Sequence, residues 1–145
     1  MAHLEEAARY AGEDAKSTIE FAMECLSLKR PEKAMGPVQS LLQKAPQSPQ
    51  LLQTLGALQA ASGQLEAALL SFSKALQAAQ EPELRSRVHQ DTALALQLAQ
   101  RPLDALAEYE KALKENPANE TARARLAQLQ GQIGAQLQQG QGAEK

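Results

Sequence analysis

Residues able to do chemistry are few and poorly spaced for it. The chain has two histidines, His3 and His89, and one cysteine, Cys25. A zinc-type site takes its ligands in closely spaced pairs of Cys and His, and the sequence offers no such pair. A single cysteine forms no disulfide within the chain, so nothing calls for an oxidising compartment. No nucleophile elbow, phosphate-binding glycine loop or dinucleotide-binding glycine motif is written in the sequence. Cys25 falls on the inward side of a helical pattern and reads as a buried structural thiol, a redox or interchain role being the alternative. His89 occupies an early packing site on its helix and reads as a packing histidine. Asn119-Glu120-Thr121 matches a glycosylation acceptor, which has meaning only in a secreted eukaryotic protein, and reads as coincidence. The expectation is a non-enzyme without cofactor or metal.

The elements that must position these residues follow from composition. Of 145 residues, 28 are Ala, 23 Leu and 19 Gln, against four Val plus Ile and four Phe plus Tyr. Strands need β-branched and aromatic residues, whereas Ala, Leu and Gln are strong helix formers. An all-α chain of one domain is expected. The net charge of −2 lacks the basic excess of a nucleic-acid binder. Residues 1–13 carry Glu5, Glu6, Arg9 and Glu13 and no apolar secretory core. The uncharged stretch Ala45–Leu65 holds Gln, Pro and Gly and does not read as a membrane span. These features predict no nucleic acid, no membrane insertion and a cytoplasmic, reducing location. An envelope location would require a targeting signal that has been removed.

Internal repetition then organises the helices. Ala34, Ala68 and Ala105 are spaced by 34 and 37 residues. The same shifts carry Val38 to Phe72 to Tyr109, and Ala22 to Gly56 to Ala93. The extra three residues fall near Glu81–Arg85. Each unit contains two helical patterns. In the middle unit Ser48 is an N-cap, Pro49 sits at the first helical position, and Leu51, Leu52, Leu55 and Leu58 follow at helical spacing. Gly63 supplies a left-handed turn, and a second helix runs through Leu65, Ala68, Phe72, Ala75 and Leu76. The third unit repeats this over Pro82–Ala99 and Pro102–Glu115, stopped by Asn116-Pro117.

Leu55-Gly56, Gly63, Ala68, Phe72 and Ala75, with Ala93, Leu96, Ala105, Tyr109, Ala112 and Pro117, resemble the tetratricopeptide repeat family. The first unit is degenerate, with Thr18 and Cys25 where the family favours aromatics. The resemblance covers residues 15–119 and implies an α-solenoid: three antiparallel helix hairpins in a right-handed superhelical stack, plus a capping helix. The implied division is an N-terminal arm or short helix at 1–14 and repeat units at 15–48, 49–82 and 86–119. A solvating helix at 120–137 and a disordered tail at 138–145 complete it. Leu4, Ala7, Ala8 and Ala11 suggest a short helix ending before Gly12. Asn119 caps the closing helix, whose inward stripe is Ala122, Leu126, Leu129 and Ile133. Gly36-Pro37 lies inside the second helix of unit one. The expected outcome is a turn at Pro31–Met35 and a helix restarting at Pro37, either as a tolerated kink or as a reshaping of the groove.

The resemblance also places the first helix of each unit on a concave face. Its lining would be Lys16, Ile19, Glu20, Met23, Leu26 and Ser27, then Gln50, Gln53, Thr54, Ala57, Ala60 and Ala61, then Arg87, Gln90, Asp91, Leu94, Gln97 and Leu98. The family's carboxylate clamp for chaperone C-termini uses Lys, Asn and Arg. Its sites here read Ile19, Met23, Thr54, Arg87 and Asp91, which argues against such a clamp. The floor is neutral, with apolar anchors at Ile19, Met23, Leu26, Leu94 and Leu98, and suits a peptide with two or three apolar side chains. The alternatives are that Met23, Leu26 and Leu98 only pack, or that the N-terminal helix covers them.

Charge adds a second surface. Residues 49–82 carry only Glu66, Lys74 and Glu81. Leu70 stands where the family places an exposed polar residue, so the outer face at Leu70 and Lys74 is expected to be covered by self-association or a second protein. The function implied is a protein–protein interaction module binding a peptide or protein. The alternatives are a holder of a translocator segment like the secretion chaperones, or a self-assembling scaffold.

Overall fold

The computed structural model describes the backbone of residues 2–143 and the side chains of residues 15–139. Among these residues there are seven helices and no strand: α1 (Ala2–Ser27), α2 (Glu32–Lys44), α3 (Pro49–Ala61), α4 (Leu65–Ala78), α5 (Pro82–Leu98), α6 (Pro102–Glu115) and α7 (Glu120–Ala143). They form two compact units, residues 1–78 with α1–α4 and residues 79–145 with α5–α7.

The 34- and 37-residue spacing is visible in the turns themselves. Lys29 (φ 60°), Gly63 (φ 83°) and Gln100 (φ 61°) adopt the left-handed conformation. Each is followed by a closing bond of one type: Arg30 N to Cys25 O, Gln64 N to Gln59 O and Arg101 N to Leu96 O, each 2.8 Å. This six-to-one bond satisfies carbonyls that a helix end leaves without partners. Glycine at Gly63 takes the turn without steric cost. Lys29 and Gln100 take it with a Cβ present.

In the first unit, α1 packs on α2 and α3, and α3 on α4. Ala22, Cys25, Ala34, Val38 and Leu58 form one buried cluster, with Leu26, Met35, Leu42 and Leu55 against it. Close approach of α3 to α4 is set by Gly56. A Cβ there would lie 2.5 Å from the ring of Phe72, which is 1% exposed and has nowhere to move. Ser48 caps α3 by accepting from Leu51 N at 3.4 Å, with Pro49 at the first helical position.

In the second unit α5 and α6 form the same hairpin, and α7 docks on α6. Ala93, Ala105, Tyr109 and Ala112 are fully buried. The three extra residues, with one more drawn from a shorter connection, extend α5 at its start, giving it 17 residues against 13 in α3. Asn119 joins three helices. Its Oδ1 accepts from Ala122 N at 3.0 Å, capping α7. Its Nδ2 donates to Ser86 Oγ at 2.9 Å and Gln90 Oε1 at 3.0 Å on α5. Ser86 Oγ in turn donates to Ala112 O on α6 at 2.6 Å. The amide nitrogen that a glycan would occupy is thus committed inside the fold.

Three expectations are corrected. No turn at Pro31–Met35 followed by a restart interrupts α2, which runs continuously from Glu32 to Lys44 with Pro37 inside. Gly36 and Pro37 are both exposed, so the hydrogen bond lost to proline falls on the water side. Burial of Ala34 and Val38 on the opposite side offsets a penalty of about 3 kcal/mol. The N-terminal segment is not a separate short helix, because α1 passes Gly12 unbroken; the side chains of His3, Leu4, Ala7, Ala8 and Ala11 lie outside the described residues. The tail expected from residue 138 is instead a continuation of α7 to Ala143. Gln is a good helix former, and single glycines cost only about 1 kcal/mol each.

Two outcomes follow for chemical denaturation. Gly56→Ala is expected to destabilise the fold, because overpacking costs about 1–3 kcal/mol and the gain of about 1 kcal/mol in helix propensity recovers only part. Asn119→Ala is expected to cost about 1–3 kcal/mol, combining a lost cap with unpaired polar groups. Asn119→Asp keeps the cap acceptor, loses the two donors and should fall between.

Candidate functional site

The residues expected to bind a partner lie on α1 and α3 in the first unit and on α5 in the second, and each unit is described by itself. In the first unit, α1 and α3 are neighbours. Lys16, Ile19 and Glu20 of α1 meet Ser48 and Gln50 at the start of α3 around a cleft of about 300 Å³, closed at one side by Ala15. The structure therefore brings Ile19 and Gln50 together. One turn on from Ile19, on the same side of α1, Met23 is 60% exposed. Gln53 and Ala57 are half-buried along α3. Thr54 is withdrawn: it is 6% exposed, and its hydroxyl donates to Gln50 O at 2.7 Å. Leu26 is half-buried and packs against the buried cluster.

In the second unit, Leu94 is 37% and Leu98 54% exposed on successive turns of α5. Arg87 is exposed, and Asp91 is half-buried. Gln90 already spends its amide oxygen on Asn119. The phenol of Tyr109 donates to Gln97 Oε1 at 2.5 Å. Burial pushes that phenol above its usual range, Arg125 opposes the effect, and Asp91 adds to it. The tyrosine thereby fixes which end of the Gln97 amide is engaged. The repeat spacing places Tyr109 at the position of Phe72; the pairing with Gln97 twelve positions earlier is visible only in three dimensions. On the outer side of the first unit Leu70 is 58% exposed, with Lys74 exposed one turn later.

His89 is a packing residue with a partner. Its Nδ1 lies 2.7 Å from Glu108 Oε2, and Lys111 Nζ donates to Glu108 Oε1 at 3.1 Å. Burial pushes the Glu108 carboxyl up, but the bonds and charges of His89 and Lys111 outweigh it and hold the group below its usual value. Among the described residues no group of three or more His, Cys, Asp or Glu could hold a metal. No helix is long and apolar enough to cross a membrane among those residues. Cys25 is buried, with no disulfide.

A carboxyl held below its unfolded value contributes stability that is complete above that value and lost as pH falls through the folded one. Thermal melts of the chain should therefore weaken as pH drops below about 4.5, the ordinary carboxylate value. Glu108→Gln should flatten that acid limb and lower the melting temperature at neutral pH.

Neither a protein-family profile nor a curated protein sequence matches the chain. Solved structures do. The first tetratricopeptide domain of Spaghetti (RPAP3), bound to the HSP90 peptide SRMEEVD, superposes with a TM-score of 0.70 at 15% identity, over 84% of this chain and 97% of that one. The Yersinia enterocolitica type III secretion translocator chaperone SycD gives 0.65 at 17% identity, over 86% of this chain and 85% of that one. An O-GlcNAc transferase variant of Thermobaculum terrenum gives 0.70 at 18% identity over 82% of this chain, which spans only 22% of that protein. With the turn-by-turn repetition of Lys29, Gly63 and Gln100, these likenesses establish that the chain has the tetratricopeptide-repeat fold.

Proposed function

We propose that this chain is a non-enzymatic interaction module that holds a peptide segment, with contact side chains on α1 and α3 in the first unit and on α5 in the second. The observation that carries the reading is the exposure of Met23, Leu94 and Leu98. A helix of a folded domain turns its large apolar side chains inward, and these three do the opposite, Met23 and Leu94 at equivalent positions of their repeat units. Ile19, Gln50, Gln53 and Ala57 extend the surface in the first unit, and Arg87, Gln90 and Asp91 in the second. Alanine permits close backbone approach, and glutamine amides can donate to and accept from peptide groups.

The chemistry of the bound segment follows from the side chains. Spaghetti is bound to an acidic HSP90 peptide. At the positions where the family's carboxylate clamp stands, this chain has Ile19, Met23, Thr54, Arg87 and Asp91. One cation beside one carboxylate does not make an anion site, and Thr54 is buried. The segment is therefore apolar and neutral. Likeness to SycD over most of both chains favours, within the same class, a chaperone that holds an extended segment of a client. The outer face at Leu70 and Lys74 is a separate contact for a second protein or for self-association. The compartment we propose is reducing, consistent with the single buried thiol.

Affinity capture followed by mass spectrometry tests the reading. Met23→Asp and Leu94→Asp should each lose the same captured protein, with helicity by circular dichroism unchanged. Retention of that protein by both variants, with loss in Leu70→Glu, would move the binding surface to the outer face.

A further inference from the structure

The second half of α7 is uncharged and exposed at once. From Leu126 to Ala143, eighteen residues, there is no Asp, Glu, Lys or Arg. A longer uncharged stretch covers α3, but there no residue from Leu51 to Ala60 is exposed, so burial accounts for it. In α7, ten of the fourteen residues from Leu126 to Gln139 are exposed. Water-facing surface on a small domain ordinarily carries about 25–35% charged residues.

The apolar stripe of α7 also outruns its cover. Ala122 is fully buried and Leu129 is 3% exposed, Ile133 is half-buried, and Leu137 is 64% exposed. Where the stripe leaves the α5–α6 hairpin there is a cleft of about 430 Å³. Leu129, Gln132, Ile133 and Gln136 line one side, and Gln97, Gln100 and Pro102 the other. Every lining residue is uncharged.

We infer that this face is an interface between two copies of the chain, with α7 antiparallel to its counterpart and the two-fold axis beside Ile133. A two-fold contact must be self-complementary: what residue i presents to j, j presents to i. About Ile133 this condition is met. Leu137 lies four residues after Ile133 and Leu129 four before, so the exposed leucine of each copy falls opposite Leu129 of the second copy, at the cleft. Gln136 falls opposite Gln130 of the second copy, where two amides can each donate and accept. A charge on this run would stand near its own image across the axis, and the run carries none. The exposed leucine, the cleft and the missing charge are thus one feature. Of the α5 residues expected on the concave face, only Gln97 lines this cleft.

Sedimentation velocity of the full chain over low to high micromolar concentration tests the inference. The mass should rise from monomer to dimer, and Leu137→Glu should stay monomeric throughout with unchanged circular dichroism. In a Cys25→Ala background, Ile133→Cys should give a covalent dimer under mild oxidation, and Gln128→Cys, on the far side of α7, should not. A parent chain that is monomeric at every concentration would overturn the proposal. So would a dimer that survives Leu137→Glu and is not cross-linked through Ile133→Cys. If Leu137→Glu fails to fold, the pair of cysteine variants decides alone. Binding of a captured protein that Leu137→Glu abolishes, with no dimer of the parent chain, would instead assign the face to a different partner.

Discussion

Close approach of two helix backbones is the constraint on which each hairpin depends. It is met by small residues on one helix facing a large one on the next. Gly56 receives the ring of Phe72 at a distance that leaves no room for a methyl group. Ala22 with Val38, and Ala93 with Tyr109, occupy the corresponding positions, all fully buried. Burial of apolar surface supplies the driving force, at roughly 25 cal/mol for each Å² removed from water. Small residues let the helices come near enough to collect it. A single hairpin buries one stripe only, and repetition is how such a chain completes a core.

Polar contacts act at the places where this packing ends. Asn119 is the clearest case: one side chain caps α7 and donates twice to α5, while Ser86 hands the connection on to α6. His89 and Glu108 do similar work midway along the α5–α6 hairpin. No buried side-chain nitrogen or oxygen among the described residues lacks a hydrogen-bond partner. Leaving such an atom unpaired would cost about 1–3 kcal/mol. The side chains left without a structural task are therefore the exposed apolar ones, and those are what a partner would read.

Much of the fold was legible in the sequence because its signals are local and repeated. Small residues at Ala34, Ala68 and Ala105, the cap at Ser48 and the turn glycine at Gly63 each report on a few neighbouring residues. The errors came where tertiary burial or helix propensity overrode a local signal. Pro37 reads as a break, yet Ala34 and Val38 hold α2 together across it. The residues from 138 read as a disordered tail, yet α7 runs on to Ala143. The face proposed for binding was legible only in outline. Ile19, Met23, Leu94 and Leu98 are where the register places them. That Thr54 turns its hydroxyl onto its own helix and that Gln90 is held by Asn119 depend on contacts that no spacing encodes.

The bound peptide is read by side chains of α1, α3 and α5, separately from the outer-face contact at Leu70 on α4. Hydrogen–deuterium exchange of the chain with and without its captured partner tests this most directly. Added protection is predicted within residues 19–27, 50–61 and 87–98. Protection confined to α2, α4 and α6, with those three segments unchanged, would contradict it.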